Sequence, residues 1–145
     1  MRHLPSVVDL FARLAIPEQL RRPIRRHRTH ASLETLPRVG GLATIPTRAE
    51  TLGAVLDKIV PQLDRLHLFL HGYASIPDTA QRQGVVPYLA PKEHTYRASG
   101  KFFGLTLEER PCLYFCFDDD ILYRRDYVEV TRRRLLAYGD YAAVG

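Results

Sequence analysis

The most restrictive feature of the chain is a pair of short apolar runs with one amphipathic helix pattern between them. Residues 39–45, VGGLATI, stop at Pro46 and read as a strand over residues 41–45. Leu52, Val55, Leu56, Ile59 and Leu63 then recur at helical spacing. Thr47 and Glu50 match a capping box, which puts the N-cap at Thr47. Pro61 predicts that the regular helix stops near Val60. Residues 66–71, LHLFLH, alternate: Leu66, Leu68 and Leu70 face one way, and His67, Phe69 and His71 the other. Strand, helix and strand within about thirty residues form a βαβ unit, which requires a parallel pair and a right-handed crossover.

A third apolar run, residues 113–117 (LYFCF), drives into Asp118, Asp119 and Asp120. It reads as a fully buried strand that delivers three carboxylates at its C-terminal end. In open α/β sheets that end is where ligands bind. Three adjacent like charges repel one another, and a cation relieves them. A hard divalent ion, Mg²⁺ or Mn²⁺, takes carboxylate oxygens and completes its shell with water and substrate phosphates. Asp118, Asp119 and Asp120 are therefore candidate metal ligands at a diphosphate site. One Asp at a strand–helix junction also serves as an N-cap, but a cap needs one carboxylate and this run has three. Arg48 falls in the first helical turn, where a cation opposes the helix dipole. A strand–turn–helix junction aims backbone N–H groups at anions, so Arg48 reads either as a phosphate contact or as a plain surface arginine. His71, at the end of its strand, is a candidate ligand contact or a structural histidine.

The 145 residues, 46% of them hydrophobic and 26% charged, suit one soluble globular domain with its own core. No run of about eighteen apolar residues exists for a membrane span. Asp9 and Arg13 interrupt the N-terminal apolar stretch, which argues against a signal peptide and for a cytoplasmic location. Cys112 and Cys116 stand four residues apart on the third run, about 13 Å along a strand, too far for a mutual disulfide. The net charge of +5 is concentrated in Arg21, Arg22, Arg25, Arg26 and Arg28, with a second cluster at Arg132, Arg133 and Arg134. Residues 1–37 read as an amphipathic helix over about 6–14 followed by an arginine-rich arm, with the domain proper at 38–145. The arm suits peripheral attachment to an anionic membrane surface, or is simply solvated. Without interleaved aromatics for base stacking it does not suit nucleic acid. Further on, Gly72 and Pro77 mark a turn, residues 84–89 a short strand broken by Pro87, and residues 101–105 a short helix. Residues 126–138 predict a helix with Val128, Leu135 and Leu136 inward and Gly139 as its C-cap; residues 141–144 begin another strand.

Three blocks, GGLATIPTRAETL, PQLDRLHLFLHGY and DDDILYRRDYVE, occur in this order and at suitable spacing. Together they resemble the N-terminal, nucleotide-sugar-binding half of a family 2-type glycosyltransferase of the GT-A fold, from about Val39 to Gly145. The resemblance implies an α/β, Rossmann-like and mostly parallel sheet flanked by helices. It implies a nucleoside diphosphate sugar as donor, an unidentified hydroxyl acceptor, and Mn²⁺ or Mg²⁺ on an aspartate motif whose outer acids are Asp118 and Asp120. Thr44, Pro46 and Arg48 would lie against the nucleotide, His71 near its base or ribose, and Lys101 and Asp118 on the donor. His71 replaces the Asn common in such sequences, and Arg124 and Arg125 replace prolines. The acceptor half and the catalytic base of that family have no counterpart here, so the chain is expected to be a GT-A-like domain cut short. Its exposed sheet edge invites pairing in an oligomer. Two other functions stay open: a nucleotide-sugar-binding remnant without transfer, and an interaction protein that acts through its basic arm.

Overall fold

The computed structural model describes residues 34–90 and 97–138. The N-terminal helix, the arm from Arg21 to Arg28, Gly139 and the strand expected at 141–144 lie outside the described residues. Strand β1 is Arg38–Thr44, β2 is Arg65–Leu70, β3 is Val85–Leu89 and β4 is Leu113–Phe117. All pairings are parallel, and the order across the sheet is β3-β2-β1-β4. Helix α1, Ala49–Ile59, connects β1 to β2, and α2, Tyr127–Tyr138, follows β4. The architecture is an α/β, Rossmann-like layer structure.

One face of the sheet carries the apolar core. Leu66, Leu68 and Leu70 of β2, Leu42 of β1 and Leu113, Phe115 and Phe117 of β4 pack there against Leu52, Val55, Leu56 and Ile59 of α1 and Val128 of α2. The helical spacing of the α1 residues and the alternation in β2 are thus two halves of one interface. Full burial of each such aliphatic side chain contributes about 1.5–3 kcal/mol. The other face is covered by a 3-10 helical stretch, Arg97–Leu107. The chain steps from β1 to β2 to β3 in one direction, then doubles back past β1 to β4 over the opposite face. Changing face when direction reverses keeps the hand of the crossovers the same.

The structure moves several expected features. The strand of the first apolar run starts at Arg38 and stops at Thr44, not at Ile45. The capping box at Thr47 and Glu50 does not form. Pro46, with φ already set for a turn, opens a 3-10 turn, Pro46–Arg48, so α1 begins later and its N-cap position falls on Arg48. Thr51 Oγ1 instead bonds the carbonyl of Arg48 at 3.0 Å. Val60–Gln62, containing Pro61, continues α1 as one 3-10 turn. Strand β4 is not fully buried. Among the described residues it is an edge strand: Leu113, Phe115 and Phe117 point into the core, while Tyr114 and Cys116 are half-buried on the other side. Pro87 sits within β3, which is also at the edge among the described residues, where a missing N–H is tolerated. The expected helix at 101–105 is the middle of the longer 3-10 stretch.

Gln62 ties α1 to α2. Its amide nitrogen donates to the carbonyls of Lys58 (2.7 Å) and Arg124 (2.8 Å), and its oxygen accepts the N–H of Val128 at 2.9 Å. That N–H lies in the first turn of α2, where it has no partner within the helix. Gln62→Leu, close in shape, strips all three bonds and is expected to cost about 1–3 kcal/mol in urea unfolding. An unchanged midpoint would show that water replaces the side chain fully.

Candidate functional site

The strand order reverses between β1 and β4, because the connection after β1 leads to β2 on one side and the later β4 arrives on the other. In doubly wound sheets the crevice at the carboxyl ends of two such strands is the ligand site. Residues 44–48 leave β1 at this point and Asp118, Asp119 and Asp120 leave β4. The fold thus brings together acids and cations that are far apart in the sequence.

Two ion pairs join them. Lys101 Nζ, from the 3-10 stretch on the outer face, lies 2.7 Å from Asp118 Oδ1. The guanidinium of Arg48 lies 3.4 Å from Asp120 Oδ2 and spans the crevice. Asp119 contributes its backbone carbonyl, which accepts Thr51 Oγ1 at 3.4 Å. The backbone N–H of Asp118 donates to Tyr123 Oη at 2.9 Å, and Tyr123 packs edge-on against Phe117, so the acid run leaves the strand at a fixed angle. The repulsion among the three acids is met here by the chain's own lysine and arginine. Among the described residues no group of three or more His, Cys, Asp or Glu side chains is placed to hold a metal ion.

Thr44 is 2% exposed at the end of β1, and its hydroxyl makes no hydrogen bond among the described residues. A buried hydroxyl without a partner is costly and rare, which makes it a mark of a missing contact. His71 lies just beyond β2. Its N–H donates to the Thr44 carbonyl at 3.0 Å and continues the ladder, while its Nδ1 is the second buried polar atom without a hydrogen bond among the described residues. Pro46 is exposed on the 3-10 turn, near Gly72, whose positive φ of 74° turns the chain after β2. Tyr73 Oη donates to the carbonyl of Ile45 at 3.1 Å and pins this turn from the β2 side. Thr44, Pro46, Arg48, His71 and the three aspartates therefore stand at the same end of the sheet, and the Lys101 side chain reaches it. Direct side-chain contact joins Lys101 with Asp118 and Arg48 with Asp120.

The two cysteines have no part in this chemistry. Both are free, and burial pushes each thiol up to about 11, so they stay protonated and weakly nucleophilic near neutral pH. Arg132 and Arg133 are bound to Glu129 on α2 and hold its carboxyl down to about 2, so these two arginines of the cluster are paired within the helix. A surface depression of about 490 Å³ lies at the opposite end of β1, lined by Glu34, Arg38, Asp64, Glu129 and Arg132 among others. Its charges pair with each other across Arg38–Asp64 and Arg132–Glu129, and it is remote from the acid run.

Sequence reasoning missed one polar group altogether. Beneath the 3-10 stretch, His67, Glu108, Arg65 and Tyr88 form a connected network, with His67 only 5% exposed. The alternation of β2 did turn His67 away from the leucines. A buried histidine there requires a polar partner, and that requirement was its one visible signal. Compared with known proteins, the chain matches no family model and no curated protein. Among the described residues no helix is long and apolar enough to cross a membrane.

Proposed function

We propose that the carboxyl edge of this sheet binds a nucleoside diphosphate sugar, in the manner of the donor half of a GT-A glycosyltransferase, for transfer of the sugar to a hydroxyl acceptor. One observation carries the reading: Arg48, Lys101 and the three aspartates converge on the crevice at the reversal of strand order, at the end of β1 where the buried Thr44 hydroxyl has no hydrogen bond among the described residues. Arg48 and Lys101 suit the oxygens of a diphosphate, and Thr44 and His71 offer polar atoms to the nucleoside. Asp118 and Asp120 would hold Mn²⁺ or Mg²⁺. The donor set fits, because such ions commonly take one or two carboxylates and fill the remaining positions with water and substrate phosphate. The ion would supply charge stabilisation for the departing diphosphate. The chain's own part is to hold that ion and the phosphates, and to orient the nucleoside against the end of β1.

Calorimetric titration of the folded chain with UDP and GDP, with and without Mn²⁺, tests this. One of the two is expected to bind, and only when the metal is present. Absence of binding by a folded protein in all four titrations would overturn the reading. Metal-dependent binding without turnover on any hydroxyl acceptor would restrict it to a nucleotide-sugar-binding module.

A further inference from the structure

We propose that Glu108, His67 and Tyr88 are positioning residues that set the place of Lys101 at the acid edge. The proposal rests on the nucleotide reading of that edge and adds the means by which its lysine is held. Glu108 follows directly on the 3-10 stretch Arg97–Leu107, and its side chain is 8% exposed. One carboxylate oxygen lies 2.6 Å from His67 Nε2 and the other 2.8 Å from an Arg65 guanidinium nitrogen. Nε2 shares one hydrogen bond with that carboxylate, and Nδ1 on the other side of the ring shares another with Tyr88 Oη at 3.1 Å. The chain Tyr88–His67–Glu108–Arg65 thereby links β2, β3 and the end of the stretch.

This network has little room for play. Gly104 lies so close to the His67 ring that any side chain at position 104 would overlap it. Phe103 packs against the rings of both Phe69 and Tyr88. At the other end, the Lys101 carbonyl accepts Tyr114 Oη at 2.8 Å and lies against Gly41 of β1, where a Cβ would strike it. The backbone of Lys101 is therefore fixed between two anchors, one on β4 and one on the buried network. Its side chain is 20% exposed and reaches Asp118, which is 48% exposed. An exposed partner alone fixes a lysine poorly; the anchored backbone supplies the order.

The test is a double-mutant cycle. Whichever of UDP and GDP binds with Mn²⁺ is titrated into the wild type, Glu108→Ala, Lys101→Met and the double variant. Glu108→Ala is expected to weaken binding about fivefold, the scale of one lost hydrogen bond, and to add nothing in the Lys101→Met background. Equal loss in both backgrounds would overturn the proposal, because Glu108 would then act on the site without Lys101. A second readout needs no nucleotide: the acetylation rate of Lys101 by an amine reagent, followed by mass spectrometry with Lys58 as internal reference. It is expected to rise about threefold or more in Glu108→Ala, through local opening of the stretch. An unchanged rate overturns the positioning role. If the wild type binds neither diphosphate, the nucleotide reading fails and this rate alone decides the positioning role. Glu108→Gln, which keeps an acceptor for His67, is expected to fall between wild type and alanine in both readouts, and it carries the test if the alanine variant does not fold.

Discussion

Asp118→Asn is expected to leave the fold intact and to lower metal-dependent nucleoside diphosphate affinity on the order of 100-fold, about 2.8 kcal/mol. The two halves of this expectation have separate causes. Asp118 is about half exposed, so its pair with Lys101 is a surface pair whose loss costs stability about 1 kcal/mol at most. Its N–H bond to Tyr123 belongs to the backbone and survives the substitution. An amide at this position keeps the shape and loses the charge, and charge is what a hard cation selects. Circular dichroism and calorimetry on the same preparation check both halves. Undiminished affinity in the variant would remove the aspartate run from the proposed site.

Phe117→Ala is expected to have the largest effect on stability, about 3–5 kcal/mol in urea or thermal unfolding. Phe117 is fully buried on β4, with Tyr123 edge-on at 5.0 Å and Tyr127 at 6.0 Å between ring centroids. Removing the ring leaves a cavity between the sheet and the entry to α2. Phe117→Leu, which refills part of that space, is expected to lose less than half as much. Because Phe117 immediately precedes Asp118, the alanine variant that remains folded at low temperature should also bind the diphosphate more weakly. A loss below about 1 kcal/mol would mean that the tyrosines close the gap, contrary to the packing described here.

The parts of this fold that can be read from the sequence are those written in a single period. β2 follows from alternation, α1 from the helical recurrence of Leu52, Val55, Leu56 and Ile59, and β1 from an apolar run that ends at Pro46; the helix bounds depend on Pro46 and Pro61. The bounds of β4 are equally plain, but its place at the sheet edge is not, because strand order is a tertiary choice that LYFCF does not encode. The capping box misled because Pro46 starts a turn before Thr47 can cap one. The stretch Arg97–Leu107 was legible only in part: its contacts use glycines set against rings, so no apolar periodicity marks it. At the site, His71 and the aspartates were visible as residue types at strand ends and Arg48 as a cation in the first helical turn, while Lys101 followed only from the family resemblance. Their pairing was not, and neither was the Glu108–His67 network, whose members are 41 residues apart.

The reversal of strand order also bears on how the molecule comes together in time. The β1–β2 half is closed by near neighbours in the chain, such as the Arg38 N–H and the Asp64 carboxylate, 26 residues apart. The β1–β4 half is closed across much longer loops, as between Thr51 and Asp119, 68 residues apart. Longer loops cost more entropy to close, and pairings across them form more slowly. The βαβ unit can therefore assemble while the crevice does not yet exist, and the acids meet their cations only once β4 has docked. A ligand that enters the crevice therefore stabilises the half of the sheet that is closed across the longer loop.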